Sequence, residues 1–540
     1  MLLKSGASDL PTRWDSREHG WVTPVRLQDP LGTCWTFASC AALEVQLLKE
    51  GHGEYDLSEK NMVNLHGYEL SGLQGGALDM AAAYLLRWSG AVAESNDVYE
   101  VVNNSLLGSD PMVPAVHVQN VIWVPARDDA TDNDDLKAAI KDYGAVATSL
   151  WWDNSCEKGG TYYRSSTYSD PNHAVTVIGW DDEYPASNFK QTSPPPGDGA
   201  WLIKNSWGKG RGDNGFFYVS YHEGSFATAE DGNVFIPATE DEDYTAVYGY
   251  DKLGYVGYYL KNGFDLDAAT FTSNWNEELA AIGVYSFSSP LAYTISIYTN
   301  VTKNGSSPIS GGTLAWSQSG SLTYDGYATL HLENPVKLAD GTTFTVVFKR
   351  ASDMPYHFLS YSLSGYSKCD NQFGATFIGS STSGEWKDAA SITGLRYQDV
   401  GSKPCVCLKA YTRSTVPASD GPEETDSGKR MSDELKTSNA TLYAETGETF
   451  GAFANLVGAN GRTLWSSWLA GFDPADKDDN KLVVDISVTN NVPYLSWTPN
   501  LGADRSYRIW GSETLDEEDW EEVGDLKTTD DKFFKVTVEQ

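Results

Sequence analysis

Cysteine is scarce in this sequence. The 540 residues hold six, Cys34, Cys40, Cys156, Cys369, Cys405 and Cys407, too few and too scattered for a disulfide-stapled scaffold. No histidine cluster accompanies them, so neither a metal nor another cofactor is expected. Basic residues are also short, 39 Lys and Arg against 74 Asp and Glu, for a formal charge of −35. Nucleic acid and anionic membranes would be repelled by such a surface, and neither is expected as a partner. No apolar run approaches the roughly 18 residues of a membrane span, so membrane insertion is not expected. The first ten residues lack a basic start followed by an apolar core, and no secretory leader is read there. Asp473–Asp479 is rich in oxygen ligands but lacks the full calcium-loop pattern, and an acidic solvated turn is expected.

What is present is aromatic and strand-forming. Aromatics make up 12% of the chain, with 18 Trp and 30 Tyr, which favours packed, β-rich, ligand-contacting modules over disorder. The length suggests two to four domains. Residues 10–100 read mostly helical. An apolar helical pattern runs from Trp35 to Lys49 and stops near Gly51, and Ser58 fits an N-cap before Glu59–His66. Ala77, Met80, Ala81, Tyr84, Leu85 and Trp88 have the spacing of a core-facing helix stripe, with Gly90 past its end. Residues 101–230 turn to strands over Val116–Val124, Gly144–Trp151, His173–Gly179, Ala200–Lys204 and Gly215–Tyr221, with one short helix, Asp134–Tyr143. In 231–413, Tyr293, Ile295 and Ile297 alternate with polar residues, as do Phe344, Val346 and Phe348, the pattern of an antiparallel β-sandwich. Ser414–Ser438 is polar and almost free of large apolar residues, so 414–440 reads as a flexible linker. Strands return at Leu482–Val488, Pro493–Trp497 and Tyr507–Trp510, predicting a small β domain over 441–540. Trp275, Trp316, Trp465 and Trp468 are candidates for stacking on sugars, with core packing the default for each.

One stretch has a chemical reading. Gln28-Asp-Pro-Leu-Gly-Thr-Cys34-Trp-Thr-Phe37 sets a cysteine where a tight turn enters the first helix. The first N–H groups of a helix lack partners and carry partial positive charge, which biases a sulfur there toward thiolate. Gln28 could aim an amide N–H at the same spot. Taken alone, such a cysteine is more often a small buried residue, a lone His173 a strand histidine, and a lone Asn205 a turn amide. Downstream, however, lie Asn172-His173-Ala174-Val175 and Trp201-Leu202-Ile203-Lys204-Asn205-Ser206-Trp207-Gly208. Cys, His and Asn in this order, preceded by Leu10-Pro11, Trp14-Asp15-Ser16-Arg17 and Val22-Thr23-Pro24-Val25, resemble the papain-like cysteine peptidases over roughly Leu10 to His222. Cys34 and His173 are 139 residues apart, inside the family range of about 130–150. Asn205 lies 171 residues past Cys34 and overshoots it, the excess sitting in the Pro- and Asp-rich Asp181–Gly199. Pro194-Pro195-Pro196-Gly197-Asp198-Gly199-Ala200-Trp201, with Tyr248-Gly249-Tyr250-Asp251 opening a β domain, resembles a bacterial subgroup that carries a lectin-like domain after the peptidase.

The resemblance implies an α+β chain. A two-lobed papain-like peptidase domain, helical lobe then β-barrel-like lobe, would occupy 10–230. A lectin-like β-sandwich domain would follow over 231–413, then the linker and the small C-terminal β domain. It implies Cys34 as nucleophile, His173 as base and later proton donor, and Asn205 fixing the imidazole. Trp207 would shield that bond, and Gln28 would hold the oxyanion with the Cys34 N–H. Gly75 and Gly76 fit the strip that pairs with an extended substrate. Leu78, Ser149 and Ala174 fall near the specificity pocket and imply a mid-sized apolar side chain, with helix core the competing reading for Leu78. The chain also departs from the pattern. Leu31 and Leu73 stand where the family has a disulfide, which predicts an apolar Leu31–Leu73 contact. Leu65 replaces another cysteine, and Arg211 replaces a tryptophan. Cys40 reads as a buried thiol, and Cys369 has two candidate partners, Cys405 and Cys407, between which spacing does not choose.

The expected function is a secreted or cell-surface bacterial cysteine endopeptidase acting through an acyl-enzyme on polypeptides, with β domains that bind targets or surfaces, glycans included. A monomer is expected, and the family's long inhibitory propeptide is not expected within the nine residues before Leu10. One alternative is a transpeptidase using the same site. The other is an inert peptidase scaffold serving adhesion or glycan binding.

Overall fold

In a computed structural model of the chain, the apolar run after Thr33 folds as α1, Cys34–Glu50. The structure describes residues 9–414 apart from 113, 166–169, 230, 240–243, 275, 288, 304–305, 352–355 and 370, together with the backbone of five later strands. The linker past 414, Trp275, Trp465, Trp468 and Asp473–Asp479 lie outside the described residues. Every residue of α1 from Trp35 to Leu47 is buried, which explains why its apolar pattern shows no polar face. Gly51, left-handed at φ 85°, closes it by donating its N–H to the last-turn carbonyls. In α2, Glu59–Leu65, the Ser58 hydroxyl accepts from the Asn61 N–H at 3.0 Å. The third helix, α3, spans Leu78–Leu86 and is shorter than the stripe predicts. Met80, Ala81, Tyr84 and Leu85 are fully buried. Trp88, however, lies past the helix end at φ 62° and stacks on His117 with ring centroids 4.1 Å apart. Asp134–Tyr143 forms α4.

The longer strands of the β half are β1 Arg13–Asp15, β2 Val118–Val124, β3 Val146–Leu150, β4 His173–Asp181, β5 Ala200–Lys204, β6 Phe216–Ser220 and β7 Gly232–Pro237. They pair antiparallel in the order β2-β7-β3-β4-β5-β6, with β1 against β4. The buried helix α1 lies against β4, where the Thr176 hydroxyl donates to the Ala38 carbonyl at 3.1 Å. That contact is the seam between the two lobes.

The next stretch folds as a small sheet of Gly257–Leu260, Tyr356–Ser360 and Cys405–Val406 and two large sheets. One carries β9 Glu277–Ser286 between β12 Gly326–Leu338 and β15 Leu408–Ser414. The other runs β11 Thr313–Leu322, β10 Leu291–Thr299, β13 Thr343–Arg350, β8 Leu266–Thr272 and β14 Thr376–Gly379. Ile282, Val284 and Ala410 from the first pack with Ile295, Ile297, Phe344, Val346 and Phe348 from the second, the layered core of a sandwich. Trp316 packs at the edge of this core.

The first of these sheets does not stand alone. Gly326 and Tyr327 of β12 pair with Ile122 and Val121 of β2, so one 13-stranded sheet runs from the β lobe into the sandwich. Leu253, Tyr285, Tyr327 and Phe358 belong to the same buried cluster as α1 and α3. Across this junction the Trp123 N–H donates to the Asp325 carbonyl at 2.9 Å, and the Tyr68 hydroxyl to the Leu253 carbonyl at 2.5 Å. Two compact units result, Met1–Thr415 and Val416–Gln540. In the second, Val483–Thr489 pairs with Val492–Thr498, and Ser506–Ser512 lies between Glu521–Glu522 and Phe533–Glu539.

Candidate active site

Two adjacent antiparallel strands deliver a histidine and an asparagine to the same end of the β lobe. His173 opens β4 and Asn205 follows β5 directly. The His173 Nε2 and the Asn205 Oδ1 are 2.8 Å apart. An amide oxygen only accepts, so Nε2 carries the hydrogen and the neutral ring keeps its lone pair on Nδ1. Asn205 is itself held, because the Ser206 N–H donates to the same oxygen at 2.8 Å. Trp207 lies flat on the imidazole with centroids 4.5 Å apart, and Trp152 meets both rings edge-on. The Arg211 guanidinium covers the outer face of Trp207 at 4.3 Å and pairs with Glu157 at 2.5 Å. His173 is thereby 7% exposed. Burial holds its pKa down to about 4, opposed by the Asn205 hydrogen bond and assisted by the Arg211 charge.

Cys34 reaches this group from the other lobe. Its sulfur feels the backbone N–H groups of Ala174, next to His173, of Trp35 and of Cys34 itself. Burial pushes the thiol up, and those three N–H groups oppose the shift. The helix start therefore acts as expected on the sulfur, but desolvation outweighs it. Gln28 is fixed on both sides of its amide. Its Nε2 donates to the Leu31 carbonyl at 2.7 Å, and its Oε1 accepts from the Ser206 hydroxyl at 2.5 Å. The second N–H of the Gln28 amide remains for another acceptor.

The Gly75–Gly76 strip runs beside the cysteine turn. The Gly32 N–H donates to the Leu73 carbonyl at 2.7 Å, and Gly32 forms a parallel bridge with Gln74. Gly75 has φ +125°, and a Cβ on Gly76 would lie 2.6 Å from the Trp35 indole. Only glycine allows the backbone to lie this close to that ring. Leu31 is buried in the helical-lobe core, with Leu73 and Leu65 packed against the same cluster. Ser149 and Ala174 face each other across β3 and β4 and are buried. Leu78 heads α3 inside the helical core at 3% exposure.

Several supporting residues escaped the sequence reading. Lys204, beside Asn205, donates to Thr23 at 2.7 Å, and Thr23 donates to Glu44 of α1 at 2.6 Å. Lys204 and Glu44 are 3.8 Å apart and almost fully buried. This link fastens the strand that carries Asn205 to the helix that carries Cys34. A signal existed: Glu44 sits within the mostly apolar Ala41–Leu47 and Lys204 ends the apolar run Ala200–Ile203, and buried charges need partners. Ser206 and Trp152 gave no comparable signal, since their roles are set by long-range approach.

Comparison with known proteins gives two matches along the chain. Residues 10–234 match the papain family of cysteine proteases, and residues 247–412 match the lectin-like domain family. Rat cathepsin S is 31% identical over 228 residues, 41% of this chain and 63% of its own length. A cathepsin L-like peptidase of Aedes aegypti is 28% identical over 216 residues, 38% of this chain and 58% of its own. The chain thus spans about 60% of the length of such relatives. Among solved structures, the clostridial cysteine protease Cwp84 after propeptide cleavage superposes with TM-score 0.65 at 23% identity, covering 75% of this chain and 99% of that one. The protease and lectin-like domains of Cwp84, a surface-layer-associated protein of Clostridium difficile, match with the same TM-score at 24% identity, covering 75% and 89%. At these identities the likeness establishes the fold, papain-like and then lectin-like.

Proposed function

We propose that this chain, a papain-family domain followed by a lectin-like domain, is a cysteine endopeptidase whose nucleophile is Cys34. The observation that carries the reading is the His173–Asn205 bond of 2.8 Å, which leaves Nδ1 as the base; the Ala174 N–H beside His173 acts on the Cys34 thiol. His173 Nδ1 takes the thiol proton and the sulfur attacks the substrate carbonyl. Burial opposes charge on either group alone. Transfer of one proton between them makes two opposite charges in the same dry site, and their attraction offsets that cost. The oxyanion is held by the Cys34 N–H and the second Gln28 N–H, one such donor being worth roughly 3–4 kcal/mol of barrier. The imidazolium then gives its proton to the leaving amine. Water, deprotonated by the same nitrogen, releases the acid from the thioester and restores the thiol.

Extended peptides are the substrate class that suits the Gly75–Gly76 strip, through main-chain pairing with little sequence preference. The lectin-like domain is proposed to hold the peptidase at a cell surface or a glycan-bearing target. The surface-layer association of Cwp84 supports that location. The test is cleavage of a peptide library by the wild type and by Cys34→Ala. Loss of all cleavage in the variant is expected, and identical cleavage profiles would end the assignment. Supplying amine nucleophiles in the same assay reads out transpeptidation as amide products.

A further inference from the structure

We propose that Cys369 and Cys405 join as a disulfide when the protein meets a disulfide oxidant. Their sulfurs are 3.7 Å apart. Closing to a bond of roughly 2.05 Å needs a shift of about 1.7 Å, within what a rotation of the half-buried Cys369 side chain provides. Cys405 is fully buried on a two-residue strand paired with Tyr356–Ser360, so its position is fixed and Cys369 is the partner that moves. Cys407, the other candidate, is turned elsewhere: its thiol donates to the Gly254 carbonyl at 3.2 Å. Proximity thus chooses where spacing along the chain did not.

The exposure of the two thiols orders the chemistry. The Cys369 thiolate attacks a small disulfide such as oxidised glutathione, forming a mixed disulfide and expelling one thiolate. Cys405 then attacks the Cys369 sulfur and expels the second, so two protein thiols are oxidised and one small disulfide is reduced to two thiols. The hydrogen bond with Cys369 and then burial raise the Cys405 pKa, so the second step is slow near neutrality and quickens with rising pH.

The bond would act beyond its own loop. Cys369 follows the Leu363–Ser367 turn, whose Tyr366 packs edge-on against Tyr68 of the helical lobe at 5.1 Å and accepts the Glu69 N–H at 3.0 Å. Tying Cys369 to the sandwich strand holds that turn on the lobe that carries Cys34.

The test uses the full chain with Cys34→Ala, which removes self-cleavage, incubated with oxidised glutathione at pH 8. Titratable thiols should fall by two, and non-reducing peptide mapping should find a Cys369–Cys405 cross-link. Cys369→Ser should abolish the cross-link, Cys407→Ser should preserve it, and reductant should lower the melting temperature of the cross-linked form. Five unchanged thiols, Cys369 joined to another cysteine, or Cys369 held only as a glutathione adduct would each overturn the proposal.

Discussion

Under the proposed mechanism, Gln28 is a single side chain held for a task it does not perform at rest. Its amide is fixed by the Leu31 carbonyl and the Ser206 hydroxyl, so a donor to the developing oxyanion costs no reorganisation. Gln28→Ala is expected to lower kcat by about 10²–10³-fold with little change in KM, read by steady-state kinetics on a fluorogenic peptide. An unchanged kcat would remove Gln28 from the oxyanion site. His117 offers a residue-scale test of stability. Burial lowers its pKa to about 4, below the roughly 6.5 of an unfolded histidine. Its contribution is therefore complete above pH 6.5 and is lost as pH falls toward 4, because the unfolded chain binds the proton first. His117→Phe keeps a ring against Trp88 and removes the titration. Between pH 7 and 4.5 the wild type should lose about 2 kcal/mol more than the variant, measured by urea unfolding at both pH values. Equal losses would show that His117 is not held neutral.

At the scale of elements, one helix start bears on stability and one glycine strip on the proposed substrate binding. Ser58 caps α2 by accepting from the Asn61 N–H, and its hydroxyl donates to the Asp97 carbonyl at 2.5 Å. Ser58→Ala should cost about 1–2 kcal/mol, seen as a lower urea midpoint with an unchanged slope. Gly76 tests the substrate strip. An added methyl would meet the Trp35 ring, so Gly76→Ala should displace the strip from the cysteine turn. The KM for extended peptides should rise several-fold, while alkylation of Cys34 by iodoacetamide stays at the wild-type rate. A KM unmoved by Gly76→Ala would mean that substrate binds along another edge.

Over the whole molecule, the continuous sheet is the main feature. The β2–β12 pairing and the Trp123, Tyr255, Tyr285 and Phe287 ring cluster join peptidase lobe and sandwich. Such a junction buries large apolar side chains from both sides, so the two parts should unfold together. Calorimetry of residues 1–415 is expected to give a single transition, and a fragment ending at 234 should be poorly soluble because Trp123 and Tyr68 lose their cover. Two separate transitions, or a soluble and active short fragment, would mean that the sheet joins two bodies that are stable by themselves.

Local features of the chain determined its elements and pointed to its candidate site. Helix α4 was legible to its end residues and α1 nearly so, because periodicity, caps and glycine stops act within a few residues. The order of Cys34, His173 and Asn205 was legible for the same kind of reason, as motifs short enough to read. Tertiary structure alone decided the rest. It ended α3 before Trp88, which turns aside to stack on His117, and it buried Leu78 in the helical core. It linked Glu44 to Lys204 through Thr23 and brought Cys369 to Cys405 rather than Cys407. It also carried one sheet through the junction at β2 and β12. Each of these depends on which distant segments meet, and in a chain of many similar strands sequence spacing leaves that choice open until packing makes it.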